Sequence, residues 1–400
     1  MIKYSYSKTK NRAFITILLC VSAISGIASD MYIAALPDMS TFFRVSDDAI
    51  KWTISIFFMG LGLSQLIYGP LSDYIGRKRT ILFGFVIFSA GCLLCITSKT
   101  FLLFLIGRFA QGCGAGAATC ISRAMMRDTY SGSELAKALS YVGMGLAVVP
   151  AIAPIIGGYI QYLVGWKLEF FLMLLYVVAL FFVVNFVVPE TNIYSFQHRR
   201  DLKEIIVDYR TILMDPLFFI NVLIASFIVS IIYIFYSITS FYLQDHYNWT
   251  EVEYSRVSIF LAASLFLGRE LNILLSKSLS NNEIILYGSI LSLLASVAMF
   301  IFDLANFNVT VTLLLPISVY AIAGGIVFSN TFVGATTKHT KIVGSVSSLY
   351  GVIQMLTVFF IISLSSLFGV SSIFGIYFLI FVFSAASIFM VLFLIRNDKS

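Results

Sequence analysis

The chain has 400 residues, of which 59% are apolar and only 12% charged, and it carries a net charge of +6. A soluble domain has about 25% charged residues, so one aqueous core is excluded and a bilayer is the solvent this composition fits. The positive balance is not a nucleic-acid signal, because its basic residues lie between apolar runs in the pattern of membrane-protein loops.

Twelve apolar runs are long enough to span a bilayer as helices, near residues 13–37, 50–71, 80–97, 101–124, 135–160, 166–189, 216–243, 255–276, 284–303, 309–334, 343–369 and 372–395. They far exceed the ~10 residues of a barrel strand, so the expected fold is an all-α polytopic membrane protein. If both termini are cytoplasmic, 18 of the 26 Lys and Arg fall in inside loops, five in outside loops and three within spans. Basic residues accumulate on the cytoplasmic side, which favours that orientation. The five cysteines, Cys20, Cys92, Cys95, Cys113 and Cys120, all lie within runs and read as small packing residues. His198, His246 and His339 lie in loops, so no metal site is expected. There is no cofactor fingerprint and no G-x-x-x-x-G-K-[ST] phosphate loop, so neither catalysis nor ATP use is expected.

Residues 1–12, with Lys3, Lys8, Lys10 and Arg12, read as a basic anchor ahead of the first run rather than as a cleaved leader. The first run holds Asp30, the deepest carboxylate read from the chain. A carboxylate in hydrocarbon costs ~2.5–3.5 kcal/mol, which makes it a functional candidate by default. The stretch Asp30-Met-Tyr-Ile-Ala-Ala-Leu-Pro37 resembles the D-M-Y-L-P-A-L-P run in the first helix of the Bcr/CflA drug-resistance branch of the major facilitator superfamily. Ala34 replaces the first of those prolines, so a straighter first helix is expected, and Tyr32 becomes a candidate for the substrate cavity. The second run carries Gly60, Gly62, Ser64, Gln65 and Gly69, small residues that allow close helix packing. Gln65 suits either a cavity wall or a helix–helix bond.

Gly69-Pro-Leu-Ser-Asp73-Tyr-Ile-Gly76-Arg77-Lys78-Arg79 reads as a tight turn between the second and third spans. It resembles the superfamily's G-x-x-x-D-x-x-G-R-[KR]-x signature at Gly69, Asp73, Gly76, Arg77 and Lys78. Asp73, just past the second helix, is expected to form a charge lock between neighbouring helices. The fourth run carries Arg108, and Leu105, Arg108, Gln111, Gly112 and Gly114 resemble the superfamily's fourth-helix motif. Asp30 and Arg108 each lie seven residues from the outer end of their run, ~10 Å deep at 1.5 Å per residue, which motivates an Asp30–Arg108 couple, direct or bridged. Gln111, on the same face, is a cavity candidate.

The fifth run holds Pro150-Ala-Ile-Ala-Pro154-Ile-Ile-Gly157-Gly158, which resembles the superfamily's antiporter motif and softens the helix at Pro150 and Pro154. In the resemblance this motif marks exporters. Residues 190–215 are the longest hydrophilic interval, read as a cytoplasmic linker with a short amphipathic helix. It would divide the chain into six-helix halves at 1–189 and 216–400. In the second half, Tyr233 and Tyr236 of the seventh run, Asn330 of the tenth and Gln354 of the eleventh are cavity candidates. No second deep acid is read, so coupling is expected to rest on the first half.

The resemblance implies a proton-driven exporter of small organic molecules, of multidrug type, working by alternating access as a monomer in a bacterial inner membrane. The alternative is a dedicated exporter of one metabolite, such as a siderophore or an amino acid. The expected partners are a small-molecule substrate, protons and the lipid bilayer, with no cofactor and no nucleic acid.

Overall fold

The computed structural model describes residues 8–192, 202–339, 342–368 and 372–398. Among these residues every regular element is helical. Twelve helical segments are long and apolar enough to cross a membrane: Arg12–Phe43, Asp47–Ile75, Arg77–Thr97, Phe101–Thr129, Lys137–Leu163, Trp166–Val187, Pro216–His246, Glu251–Leu275, Asn281–Leu304, Val309–Thr336, Ser345–Leu367 and Ile373–Arg396. An even number of spans puts both ends of the described chain on one face, here called the terminal face; the opposite one is the far face.

The expected runs and the observed spans coincide in number and order, and several helices outrun their apolar stretch. The second helix, Trp52–Ile75, contains Asp73 in its last turn, so Asp73 is not in a loop. Only Gly76 separates it from the third helix, Arg77–Thr97. Helix ends carry the usual donors' partners. Thr100 Oγ1 accepts from the Leu103 amide, Asp215 Oδ1 accepts from the Leu217 amide, and Ser280 with Glu283 forms a reciprocal capping box. Between the halves a helix, Leu202–Leu213, follows the sixth span. Residues 193–201 of the expected linker, like His198, lie outside the described residues.

The first span is broken even though Ala34 stands where the resembled run has a proline. Its α-helix ends at Asp30, a 3-10 turn covers Ile33–Ala35, and a second helix runs Leu36–Phe43 with Pro37 in its first turn. Pro37 therefore opens a helix, where its missing N–H costs nothing, instead of ending the span. Broken backbone inside a membrane must find partners, and it does. Arg108 Nη1 donates to the Ala28 carbonyl at 3.0 Å, Ser240 Oγ to Ile33 O at 2.9 Å, and Gln244 Nε2 to Ala34 O at 3.0 Å. From behind, Gly157 of the fifth span lies so close that a Cβ there would sit 1.7 Å from the Met31 carbonyl oxygen.

Within the first half the second and fourth spans touch backbone to backbone. A Cβ on Gly112 would meet Phe57 O at 2.1 Å. The second half repeats this between the eighth and tenth spans, where a Cβ on Gly325 would meet Leu265 O at 2.4 Å. Small residues make such contacts in membranes, where apolar burial between helices gives little drive.

Hydrogen bonds join the halves on the far side of the bundle. Besides Ser240 and Gln244 against the first-span break, Ser258 Oγ donates to Ala151 O at 3.2 Å and Ser366 Oγ to Asp48 O.

Candidate functional site

The first-span break sets the site, because it leaves Asp30 as the last residue of one helix. Asp30 is 3% exposed. Its Oδ1 accepts from Ser29 Oγ at 2.7 Å and from the Tyr233 hydroxyl at 2.8 Å, and Tyr233 also lies 3.0 Å from Ser29 Oγ. Tyr233 comes from the seventh span, so this carboxylate is bonded across the two halves. The Tyr233 ring is itself packed on Phe58 of the second span, centroids 4.7 Å apart. Tyr236, one turn further, is also buried, and its carbonyl accepts from the Tyr254 hydroxyl at 2.6 Å.

Arg108 is fully buried, and its partners all belong to the first half. Nε donates to Thr53 O at 3.1 Å, and Nη1 donates to Ala28 O at 3.0 Å and Gln111 Oε1 at 2.8 Å. The guanidinium carbon stands 4.3 Å from the Tyr32 ring centroid and 4.6 Å from that of Phe57, cation–π distances on two rings. Nη2 has no partner. Of the expected couple with Asp30, direct or bridged, the direct form is absent: the two charges hold different groups. Arg108 reaches the Asp30 turn through the Ala28 carbonyl, two residues earlier.

Tyr32 and Gln111 also depart from expectation. Tyr32 shares a 3.1 Å hydrogen bond with Thr53 Oγ1, and Gln111 Nε2 donates to Cys92 Sγ at 3.0 Å. Both are fully buried around Arg108, so they brace it inside the first half instead of lining a cavity. Asn330 likewise serves its own half: its Nδ2 donates to Asn272 Oδ1 at 2.6 Å and to Ile326 O at 2.7 Å. Gln354, a cavity candidate, is buried. Its buried Nε2 lacks a partner, and so does Gln65 Oε1 of the second span, which faces the Gly351 turn of the same eleventh helix.

The signature loop forms a lock confined to the first half. Arg77 Nη1 lies 2.6 Å from Asp73 Oδ1, and its Nε lies 2.9 Å from Asp128 Oδ2 at the end of the fourth span. Lys78 Nζ donates to Asn185 O at 2.6 Å. Glu190, which the sequence reading missed, caps the third helix by accepting from the amides of Arg77 at 2.9 Å and Lys78 at 3.1 Å. A carboxylate there meets the positive end of the helix dipole. Gly76 has φ 101°, and a Cβ on it would meet Glu190 Oε2 at 2.5 Å, so only glycine fits. Gly69 has nothing within 4 Å of an added Cβ, so its packing does not require glycine. Pro189 followed by an acid just past the sixth span was the available signal for Glu190.

The fifth-span motif lies against the far-side seam. Pro150 and Pro154 sit inside one continuous helix, Gly132–Leu163. Gly157 backs the first-span break, and a Cβ on Gly158 would meet Glu251 O at 2.7 Å, at the start of the eighth span. Among the described residues no group of three or more His, Cys, Asp or Glu is arranged to hold a metal.

The sequence profile of the Major Facilitator Superfamily matches residues 18–362. The chain is 28% identical to the uncharacterized MFS-type transporter YdgK of Bacillus subtilis over 87% of each chain. It is 26% identical to multidrug resistance protein MdtL of Shewanella oneidensis over 82% of each. It is also 30% identical to multidrug resistance protein D of Escherichia coli over 46% of this chain and 47% of that one. Among solved structures, a peptide transporter POT in complex with alafosfalin superposes with a TM-score of 0.74 at 12% identity, covering 99% of this chain and 95% of the other. A bacterial homolog of the human lysosomal transporter Spinster, inward-facing and occupied, gives 0.73 at 15% identity, covering 98% and 96%. These two carry the fold alone. The chain is a transporter and not an enzyme, a member of the major facilitator superfamily with relatives named as multidrug resistance proteins.

Proposed function

We propose that the protein exports small organic molecules in exchange for protons, as a multidrug antiporter working by alternating access. The observation that carries this reading is the Asp30–Tyr233 hydrogen bond, a titratable carboxylate tied across the two halves at a break in the first span. Protonation of Asp30 removes the charge that Tyr233 and Ser29 solvate, so proton binding and closure between halves share one group. Substrate and proton compete for that group, and one exchanges for the other. One charge crossing 100 mV supplies ~2.3 kcal/mol and one pH unit ~1.4 kcal/mol, sufficient for modest concentrative export.

The terminal face is the cytoplasmic one on this reading, from the excess of Lys and Arg on that side. The far-side bonds then hold the outer gate shut, and the conformation faces inward. Residues 1–189 and 216–400 are the two rocking units and 190–215 their linker, in a monomer of a bacterial inner membrane. Gly69, Asp73, Gly76, Arg77 and Lys78 tie one unit together at its cytoplasmic end. Gly112 fixes the second span on the fourth, and Pro150, Pro154, Gly157 and Gly158 let the fifth span follow the outer gate. Tyr233, Tyr236 and Gln354 remain the residues proposed to meet substrate. Deleting the gene tests the substrate class: sensitisation to several unrelated compounds is expected, and loss of a single secreted metabolite overturns the multidrug reading.

A further inference from the structure

The expectation of no second deep acid is overturned by Glu169 of the sixth span, which the fold buries. It lies in the first turn of the sixth-span helix, Trp166–Val187, is 0% exposed, and neither carboxyl oxygen has a hydrogen-bond partner. An isolated carboxylate without partners cannot stay charged cheaply in an apolar interior. Its position relative to the site is fixed by its neighbours. Phe170, the next residue, meets the Tyr32 ring at 5.8 Å, so this turn is level with the first-span break. Two helical turns along the same face, the Tyr176 hydroxyl donates to Cys20 O at 2.8 Å, so that face looks onto the first span.

The charged and titratable groups on the packed elements have partners elsewhere, except that Arg108 Nη2 has none and the guanidinium stands 5.9 Å from the Phe170 ring. Asp30 is bonded by Ser29 and Tyr233, and Arg108 by Thr53, Ala28 and Gln111. Cys92 accepts from Gln111. Cys95 of the third span lies 3.8 Å from Phe104 O and 3.9 Å from Gln111 Oε1. Lys167 stands 4.9 Å over the Phe42 ring, and Tyr32 shares the Thr53 hydroxyl. At the same end of the fifth span, Gln161 Nε2 donates to the exposed Asp38 at 3.1 Å, while its buried Oε1 has no partner.

We propose that Glu169 is a second proton-binding site, whose carboxyl exchanges its proton during the cycle and lies behind the first-span break that carries Asp30. This extends the proton-coupled reading of Asp30, but the carboxyl chemistry itself does not depend on it. The step is a simple transfer: a proton adds to one Glu169 oxygen and leaves it again, with no other bond changed. Asp30 faces the opposite half, whereas Glu169 faces the first span from within its own half, so the two acids can load separately around one hinge.

Infrared difference spectra of the full-length protein in lipid bilayers, recorded between acidic and alkaline pH, test this without any transported substrate. The wild type is expected to show a carboxylic-acid C=O band that changes with pH, E169Q to lose it, and E169D to keep it at a shifted frequency. D30N should lose a different component. Identical wild-type and E169Q spectra overturn the proposal, as does a Glu169 band that stays constant across the pH range. Should E169Q fail to assemble, an unshifted band in E169D overturns it instead. Proton-driven transport surviving in D30N would refute the role of Asp30 while leaving the Glu169 result standing.

Discussion

Arg108 acts as a rigid fork, with two backbone carbonyls and one amide oxygen held by Nε and Nη1 while the plane lies against Tyr32 and Phe57. A lysine cannot reproduce that fork. R108K is expected to lose about 2 kcal/mol, the scale of a hydrogen bond to a charged group, read as a lower unfolding midpoint of the purified protein in detergent. Tyr233 makes a different prediction. Y233F removes the donor that spans the halves but leaves Ser29 on Asp30. A hydrogen bond to a charged group, worth about 1.5–3 kcal/mol, shifts a two-state balance roughly twelve- to 160-fold, so the far-open form should gain by that factor. Labelling of Gln244→Cys by a thiol reagent added at the far face measures the shift. An unchanged labelling rate contradicts the clasp.

Glycine contacts separate the motif positions into those that bear structure and those that do not. G157V drives a side chain into the Met31 carbonyl and is expected to abolish transport with a loss of assembled protein, measured as membrane-extracted monodisperse yield. G69A should assemble at the wild-type level, because its added methyl meets nothing. At the third-span N-terminus, E190Q removes a capping charge and should cost about 0.3–1 kcal/mol of stability. Much of this was legible in advance. Run length and the charge pattern located twelve spans, and the signature turn placed Arg77 and Asp73 together. The break after Asp30 was legible only in part: Pro37 leaves the Ile33 carbonyl without its helical donor, but nothing local ends the helix as early as Asp30. The break exists because Arg108, Ser240 and Gln244, remote in sequence, take up the freed carbonyls. Tyr32, Gln111 and Asn330 were misread for a related reason: a polar residue in a span says that it needs a partner, not whether the partner is a substrate or a neighbouring helix. Glu169 was passed over because a charge four residues into a run looks like a span boundary, and burial there is decided by which helices cover that end.

At the scale of the molecule, two similar halves meet along seams that are hydrogen-bonded on the far side, and the signature lock near the terminal face stays within one half. On the proposed alternating-access reading each half moves as a unit, with ion pairs inside the first half and neutral hydrogen bonds between the halves. On the proposed reading Asp30 carries the coupling. Inside-out vesicles holding the full-length protein, given an inward-acid pH gradient, should accumulate the lipophilic cation ethidium. D30N in the same vesicles is predicted to show no gradient-driven accumulation, and full accumulation by D30N would contradict the coupling role assigned to that carboxylate.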